Sequence, residues 1–411
     1  MGEQISAVGL AALALPPDPS CSGGVIQAGL ATLRRHLGMD VAFVSTIRDG
    51  CRFFAYVDAV AGEPVTSPAD LPGDGDPTED TYCGRVIAGR IPQLILDARR
   101  EPGVADLAVT TEAPIGAHLS VPLIRSTGEP MGTLCCFSHR PDETLRERDL
   151  QVLRLFADLV GPHMETILRH EEHVGRVRTR VLNAVLADCP RIALQPIVEL
   201  ATEDVVGHEA LARFTAADGA APGWDTARWF HEATGVGMGP FLETAAVTNA
   251  LALLPMLPQE ATLSVNVAAA SLSHRPLVDL LASAPGVMVE ITEHTRIVGY
   301  EALGRSLDRL REAGVLVAID DVGAGYAGLE QILELAPDVI KFDRAIVTGL
   351  RDDPLRRAMT HGLASFAASA GVRLIAEGIE TAEDVDALRE IGVPLGQGYH
   401  LGRPVLMTAN P

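Results

Sequence analysis

From Arg191 onward the chain repeats one pattern, in which a short apolar run ends on a polar residue and a helical segment follows. The strand candidates are Ile192–Val198, Val205–Phe214, Leu263–Val267, Val287–Thr292, Leu316–Asp320, Val339–Phe342, Arg373–Ala376 and Leu395–Tyr399. Helical segments between them include Asp225–Thr234, Glu301–Ala313, Pro354–Ala370 and Ala382–Glu390. Eight strands, mostly in strand–helix units, predict an α/β fold with a (β/α)8, TIM-type barrel over residues 189–411. The first two strands lie too close for a crossover helix, so one barrel strand is expected to run antiparallel.

The polar residues sit at or near the strand ends. Glu209 and Arg213 follow Val205-Val206, Asn266 ends Leu263–Val265, and Glu290 and Glu293 follow Val287–Val289. Asp320-Asp321 end Val317–Ile319, Lys341 follows Val339-Ile340, Glu377 ends Leu374–Ala376, and Gln397 lies in the last strand. In a barrel these ends converge on one face, where active sites are built. Any one of them alone reads as a solvated or salt-bridged strand end; the full set in register does not. Carboxylates buried together need cations to neutralise them. Oxygen donors at this density suit hard divalent ions, Mg²⁺ or Mn²⁺, rather than zinc.

Charge narrows the partners. With 54 acidic against 33 basic residues the formal net charge is −21, which repels duplex nucleic acid and anionic lipid. An anionic substrate would then need bound metal cations for much of its attraction. No apolar run is long enough to span a bilayer, and Glu3 with no basic run near the N-terminus argues against a secretory signal, so a cytoplasmic protein is expected. The six cysteines show neither CxxC pairs nor metal-finger spacing and read as reduced, mostly buried thiols. A redox role for Cys83 or the Cys135-Cys136 pair is the alternative.

Residues 1–165 read as α+β: a helical stretch from Val25 to Leu37, then short strands separated by Gly, Pro and Asp turns. The segments Asp80–Ile87, Pro92–Asp97 and Gly116–Leu123 make this region resemble a GAF domain, which implies a sensory role and a small ligand of unknown identity. From Asp142 to about Asp188, with 166–188 as the linking helix, Leu150, Leu153, Ala157, Val160, Met164 and Ile167 follow 3–4 spacing. Two readings stand: packing within one chain, or a seam that makes a homodimer. Gly161-Pro162 predicts a kink or a restart of the helix.

Across Arg191–Pro404 the chain resembles the EAL phosphodiesterase family. The residues that carry this are Gln195–Val198, Gly207–Phe214, Ser264–Val267, Glu290–Glu293, Asp320–Tyr326, Ile340–Asp343, Ala376–Glu380 and Gly396–Tyr399. Val322, Ala324 and His400 depart from the family pattern without removing a metal ligand. The resemblance implies metal-dependent hydrolysis of cyclic di-GMP to linear pGpG. It implies that Glu209, Asn266, Glu290 and Asp320 hold one divalent cation, with Asp320 bridging to a second held by Asp321. Lys341 would orient the attacking water, with Glu377 as general base. Gln195, Leu211, Arg213 and Gln397 would bind substrate, and Glu293 would support a neighbouring loop.

Two further motifs are read as decoys. Gly323–Gly328 formally matches GxGxxG, but Asp320-Asp321 would set two carboxylates beside a pyrophosphate. His170-Glu171-Glu172-His173 lacks HExxH spacing and reads as a solvated helix face. The rival functions are a non-catalytic cyclic di-GMP receptor and a GAF-driven interaction module.

Overall fold

A computed structural model describes residues 17–60, 75–214, 224–292, 300–322 and 328–407. The chain divides into two compact units, Met1–Val174 and Gly175–Pro411.

The first unit holds a six-stranded sheet. Its strands are β1 (Val41–Arg48), β2 (Cys51–Ala59), β3 (Asp76–Pro77), β4 (Leu94–Ile95), β5 (Ala117–Ile124) and β6 (Pro130–Ser138), in the order β3-β2-β1-β6-β5-β4. All pairings are antiparallel. Strand side chains alternate between faces, and each face has its own core. Ala42, Val44, Leu134 and Cys136 join one cluster with Ile26, Leu30 and Leu33 of the helix Ser22–Leu37. Val41, Phe43, Cys135 and Phe137 join another with Tyr82, Cys83 and Val86 of the short helix Tyr82–Ile87. Both faces are covered along β1, β5 and β6, whose residues are nearly all buried.

The helix Glu147–Leu186 bears on two expectations, and of the kink or restart at Gly161-Pro162 it removes the restart. It runs 40 residues with Pro162 inside it, neither ended nor restarted at Gly161-Pro162. Proline removes one backbone donor and crowds the preceding turn, but Leu153, Val160 and Met164 on either side are buried in the core and hold the helical path. The same burial settles the stripe. Leu150, Leu153, Ala157, Val160 and Met164 pack among Val25, Ile26 and Leu30 of their own chain, leaving no seam there for a second copy. Glu171 and Glu172 pair with Arg48 at 2.6 Å and Arg125 at 3.2 Å, as a solvated helix face does.

The second unit is the barrel. Its strands are β7 (Arg191–Glu199), β8 (Val205–Arg213), β9 (Thr262–Val267), β10 (Val287–Thr292), β11 (Leu316–Val322), β12 (Val339–Phe342), β13 (Arg373–Ala376) and β14 (Leu395–Gly396). They follow chain order around the sheet, and β14 pairs back onto β7 to close it. β7 runs antiparallel to both neighbours and is the reversed strand; the other pairings in the barrel are parallel. A short β15 (Val405–Leu406) pairs antiparallel with β7 at Leu194 and Ala193.

Strand alternation sorts the barrel residues. Val289, Ile291, Val317, Ile319, Ile340, Phe342 and Leu374 join the core shared with the surrounding helices. Ile197, Met288, Ala318, Val339 and Ile375 form a separate apolar cluster. Two residues beyond each of the last four, on the same face, stand Glu290, Asp320, Lys341 and Glu377. Two residues before Ile197, on the reversed strand, stands Gln195. One apolar layer therefore carries one polar layer above it, and that polar layer is the site.

Candidate active site

Lys341 stands at the centre of the polar layer, fully buried. Its Nζ lies 2.5 Å from Glu377 Oε1, 2.7 Å from Glu290 Oε2, 3.4 Å from Asp320 Oδ1 and 3.5 Å from Glu209 Oε2. The strands bring these groups together by register, since Glu290 on β10 aligns with Asn266 on β9, and Glu209 on β8 aligns with Ser264 on β9 and Gln195 on β7.

Neutral side chains hold the carboxylates in place. Glu209 accepts from Asn266 Nδ2 at 2.7 Å and from Gln397 Nε2 at 2.6 Å. Gln397 Nε2 also donates to Gln195 Oε1 at 3.1 Å, and Gln195 Nε2 donates to Gly402 O at 3.1 Å. Ser264 Oγ donates to the second oxygen of Glu290. Ser264 is a contributor that motif reading left without a role, though its position two residues before Asn266 puts both on one face of β9.

Asp320 and Asp321 are consecutive, and on a regular strand they would point to opposite faces. The β11–β12 register shifts between Ile319 and Val322, and Asp321 adopts a left-handed backbone conformation with φ of 55°. This bulge turns both carboxylates inward. One oxygen each from Asp320, Asp321 and Glu377 then lie within 4.8 Å of one another. After Glu377, Gly378 has φ of 68°, and a Cβ there would meet the Arg344 Cβ at 2.3 Å, so glycine is required where this loop crosses Arg344.

The electrostatics follow from burial. Desolvation pushes the Glu290 carboxyl well up, and the Glu209, Asp320 and Glu377 charges push it further against the pull of Lys341. Desolvation likewise lifts Glu377 to about 8, with Lys341 opposing and Asp320 and Glu209 adding to the rise. At Glu209 desolvation is outweighed by Lys341, Gln397 and Asn266, and its carboxyl sits below the usual range. Desolvation opposes the charge on Lys341, but the four carboxylates overcome it and hold the ammonium protonated. One ammonium against four carboxylates, with Asp321 beside them, leaves a surplus of negative charge in a buried site. Clustered carboxylate oxygens and an unmet demand for positive charge fit a hard divalent cation.

Gln195, Glu209, Leu211, Asp321, Glu377 and Gln397 line one cleft of about 360 Å³, together with Arg344 and Tyr399. Arg213 and Asn266 line a second hollow of about 300 Å³ that shares Leu211. Arg213 Nη1 donates to Ala212 O at 2.8 Å. That hollow also contains Glu243, a buried residue that no motif signalled, whose carboxylate accepts from Ala268 N at 3.1 Å. Burial raises its carboxyl to about 7. Glu293 and residues 323–327, most of the Gly323–Gly328 stretch, lie outside the described residues.

Residues 179–404 match the family described as EAL domain, and residues 23–165 match the family described as GAF domain. The protein Rv1354c of Mycobacterium tuberculosis is 27% identical over 298 residues, which cover 65% of this chain and 45% of that protein. RocR of Pseudomonas aeruginosa, named a cyclic di-GMP phosphodiesterase, is 32% identical over 160 residues, covering 37% of this chain and 41% of RocR. This chain thus spans less than half the length of either relative. The crystal structure of an EAL domain protein from Listeria monocytogenes is 23% identical, covers 56% of this chain and 94% of that one, and superposes with a TM-score of 0.50, which supports the barrel fold. The chain belongs to the EAL domain family, with a GAF domain preceding its barrel in sequence.

Proposed function

We propose that the barrel hydrolyses one phosphodiester bond of cyclic di-GMP to give linear pGpG, and that the GAF domain regulates it through a small ligand. The observation that carries this reading is the buried ammonium of Lys341 ringed by Glu209, Glu290, Asp320 and Glu377 at the C-terminal ends of the barrel strands. The naming of RocR as a cyclic di-GMP phosphodiesterase supports the substrate.

Glu209, Asn266, Glu290, Asp320 and Asp321 would hold Mg²⁺ or Mn²⁺, as two ions, with Asp320 contributing to both. When bound, such ions lower the pKa of water and stabilise charge on the phosphoryl oxygens. Glu377 takes the proton of the attacking water at a carboxylate oxygen, a task suited to a carboxyl lifted by burial. Lys341 keeps Glu377 in place through the 2.5 Å ion pair and offsets charge gathering on the phosphoryl group. Gln397, steadied by Gln195, fixes the rotamer of Glu209. Arg213 offers a guanidinium to the phosphate that is not cleaved, and Leu211 gives the base an apolar wall.

The test is chromatography of cyclic di-GMP incubated with the full chain, with Mn²⁺ or Mg²⁺ and with chelator. Metal-dependent appearance of pGpG is expected. Binding without turnover under all metal conditions would make the barrel a receptor and end this reading.

A further inference from the structure

Asn266 stands near the end of β9, and the backbone beyond it has little sheet to lean on. The pairing with β8 reaches only to Val265 and the pairing with β10 only to Val267. The chain then enters a short helical turn over Ala269–Ser273, in which Ser271 N donates to Ala268 O at 2.9 Å. The N–H of Ala268 lies past both ladders, and a half-buried backbone donor needs an acceptor. It finds one in a side chain, the Glu243 carboxylate, whose Oε2 lies 3.1 Å away.

Glu243 is 6% exposed and belongs to the helix Gly239–Leu251, which lies between β8 and β9 in the chain. Val247 and Ala250 of that helix share the barrel core with Val265 and Val267 of β9. The carboxylate is therefore carried by an element already packed against the strand it holds. Burying a carboxyl group costs stability unless donors compensate it. Burial lifts this one to about 7, and the groups that oppose the rise are the Ala268 N–H and the Ser271 hydroxyl, both in the turn after β9.

The turn leads back to the candidate active site. Two residues before Ala268, Asn266 donates through Nδ2 to Glu209 Oε1 at 2.7 Å, which leaves its amide oxygen for a cation. If the turn shifted, that oxygen would move relative to Glu209, Glu290 and Asp320, which stand on other strands.

We infer that Glu243 is a positioning residue for Asn266: by accepting from Ala268 N–H it fixes the turn after β9 and, through it, the place of the Asn266 amide oxygen in the cation site. The inference rests on the proposed assignment of Asn266 as a metal ligand, and its test separates the two.

The experiment is Mn²⁺ binding to the full chain without substrate, read from the electron paramagnetic resonance signal of free Mn²⁺. Glu243→Met keeps the length of the side chain, removes the acceptor, and should weaken binding at least about tenfold. Glu243→Gln keeps an acceptor oxygen and should bind within about threefold of the wild type. Asn266→Ala should also weaken binding at least about tenfold. Adding Glu243→Met to Asn266→Ala should cost less than about twofold more, because the group that Glu243 places is already gone. Circular dichroism identifies a variant that fails to fold, and Glu243→Ala then takes the place of Glu243→Met in the same comparison. Undiminished binding by folded Glu243→Met, a loss in Glu243→Gln as large as in Glu243→Met, or an equal further loss in the Asn266→Ala background would each overturn the positioning role and leave the metal site standing. A wild type that binds no Mn²⁺, or full binding by Asn266→Ala, would overturn it together with the assignment of Asn266.

Discussion

Lys341 Nζ lies 2.7 Å from Glu290 Oε2, and both side chains are fully buried. Neither group has access to bulk water, so the charge on Lys341 depends on the carboxyl groups around it. Breaking a buried pair by removing one partner leaves an uncompensated charge and costs about 3–5 kcal/mol. Lys341→Met in chelator should destabilise the barrel by about that much, and adding Glu290→Gln should restore at least a quarter of the loss. Urea denaturation followed by the fluorescence of Trp224 and Trp229, both in the barrel unit, measures it. A Lys341→Met barrel as stable as the wild type would show that the ion pair is not what neutralises Glu290.

Glu209 is 5% exposed and receives contacts from Lys341, Asn266 and Gln397 at once. Alanine there should lower turnover of cyclic di-GMP by at least a hundredfold, about 2.7 kcal/mol of barrier. Initial rates at saturating Mg²⁺ check this, and a loss of less than tenfold would remove Glu209 from the machinery.

Under the proposed mechanism Glu377 acts in proton transfer, a demand that arises in the transition state more than in the bound substrate. Glu377→Gln should cut kcat by several orders of magnitude while cyclic di-GMP binding, read by calorimetry, stays within about fivefold. Loss of binding together with rate would assign Glu377 to holding the metal instead.

The carboxylate surplus predicts a metal requirement. Activity should vanish in chelator, return with Mg²⁺ or Mn²⁺, and be suppressed by Ca²⁺, whose larger radius and looser coordination hold the reacting oxygens at poor distances. Full turnover in chelator contradicts the two-ion reading.

His118 gives the GAF unit an acid sensitivity. Its folded pKa of about 3 lies below the ordinary 6.5, so as pH falls below about 6.5 the unfolded chain takes up a proton first. The stability of this unit should be flat with respect to His118 above pH 6.5 and fall by about 1.4 kcal/mol per pH unit below it, until the folded state also protonates near pH 3. Hydrogen exchange of β5 and β6 peptides at pH 6.5 and 4.5, compared with His118→Phe, isolates the effect. Identical pH slopes for the two proteins would show that His118 is protonated within the fold.

Residue order alone determined the barrel and most of its polar layer. Strand period places Glu290, Asp320, Lys341 and Glu377 each two residues beyond an apolar residue, Met288, Ala318, Val339 and Ile375, so a one-face assignment needs no coordinates. The reversed strand was legible too, because Val198 and Val205 are too close for a helix to cross between them. What the chain order could not show is anything set by contact between distant segments. Asp321 joins Asp320 and Glu377 only because a bulge in β11 breaks the alternation that sequence reading assumes. The periodicity of Leu150–Ile167 identifies an apolar face but not what covers it, and the fold gave that face to its own chain. Pro162 weakens a helix locally, yet tertiary burial on both sides carried the helix through. His118 and Arg52 lie 66 positions apart in the numbering and carry no shared motif; only the pairing of β2 with β1, β1 with β6 and β6 with β5 put both beside one cavity.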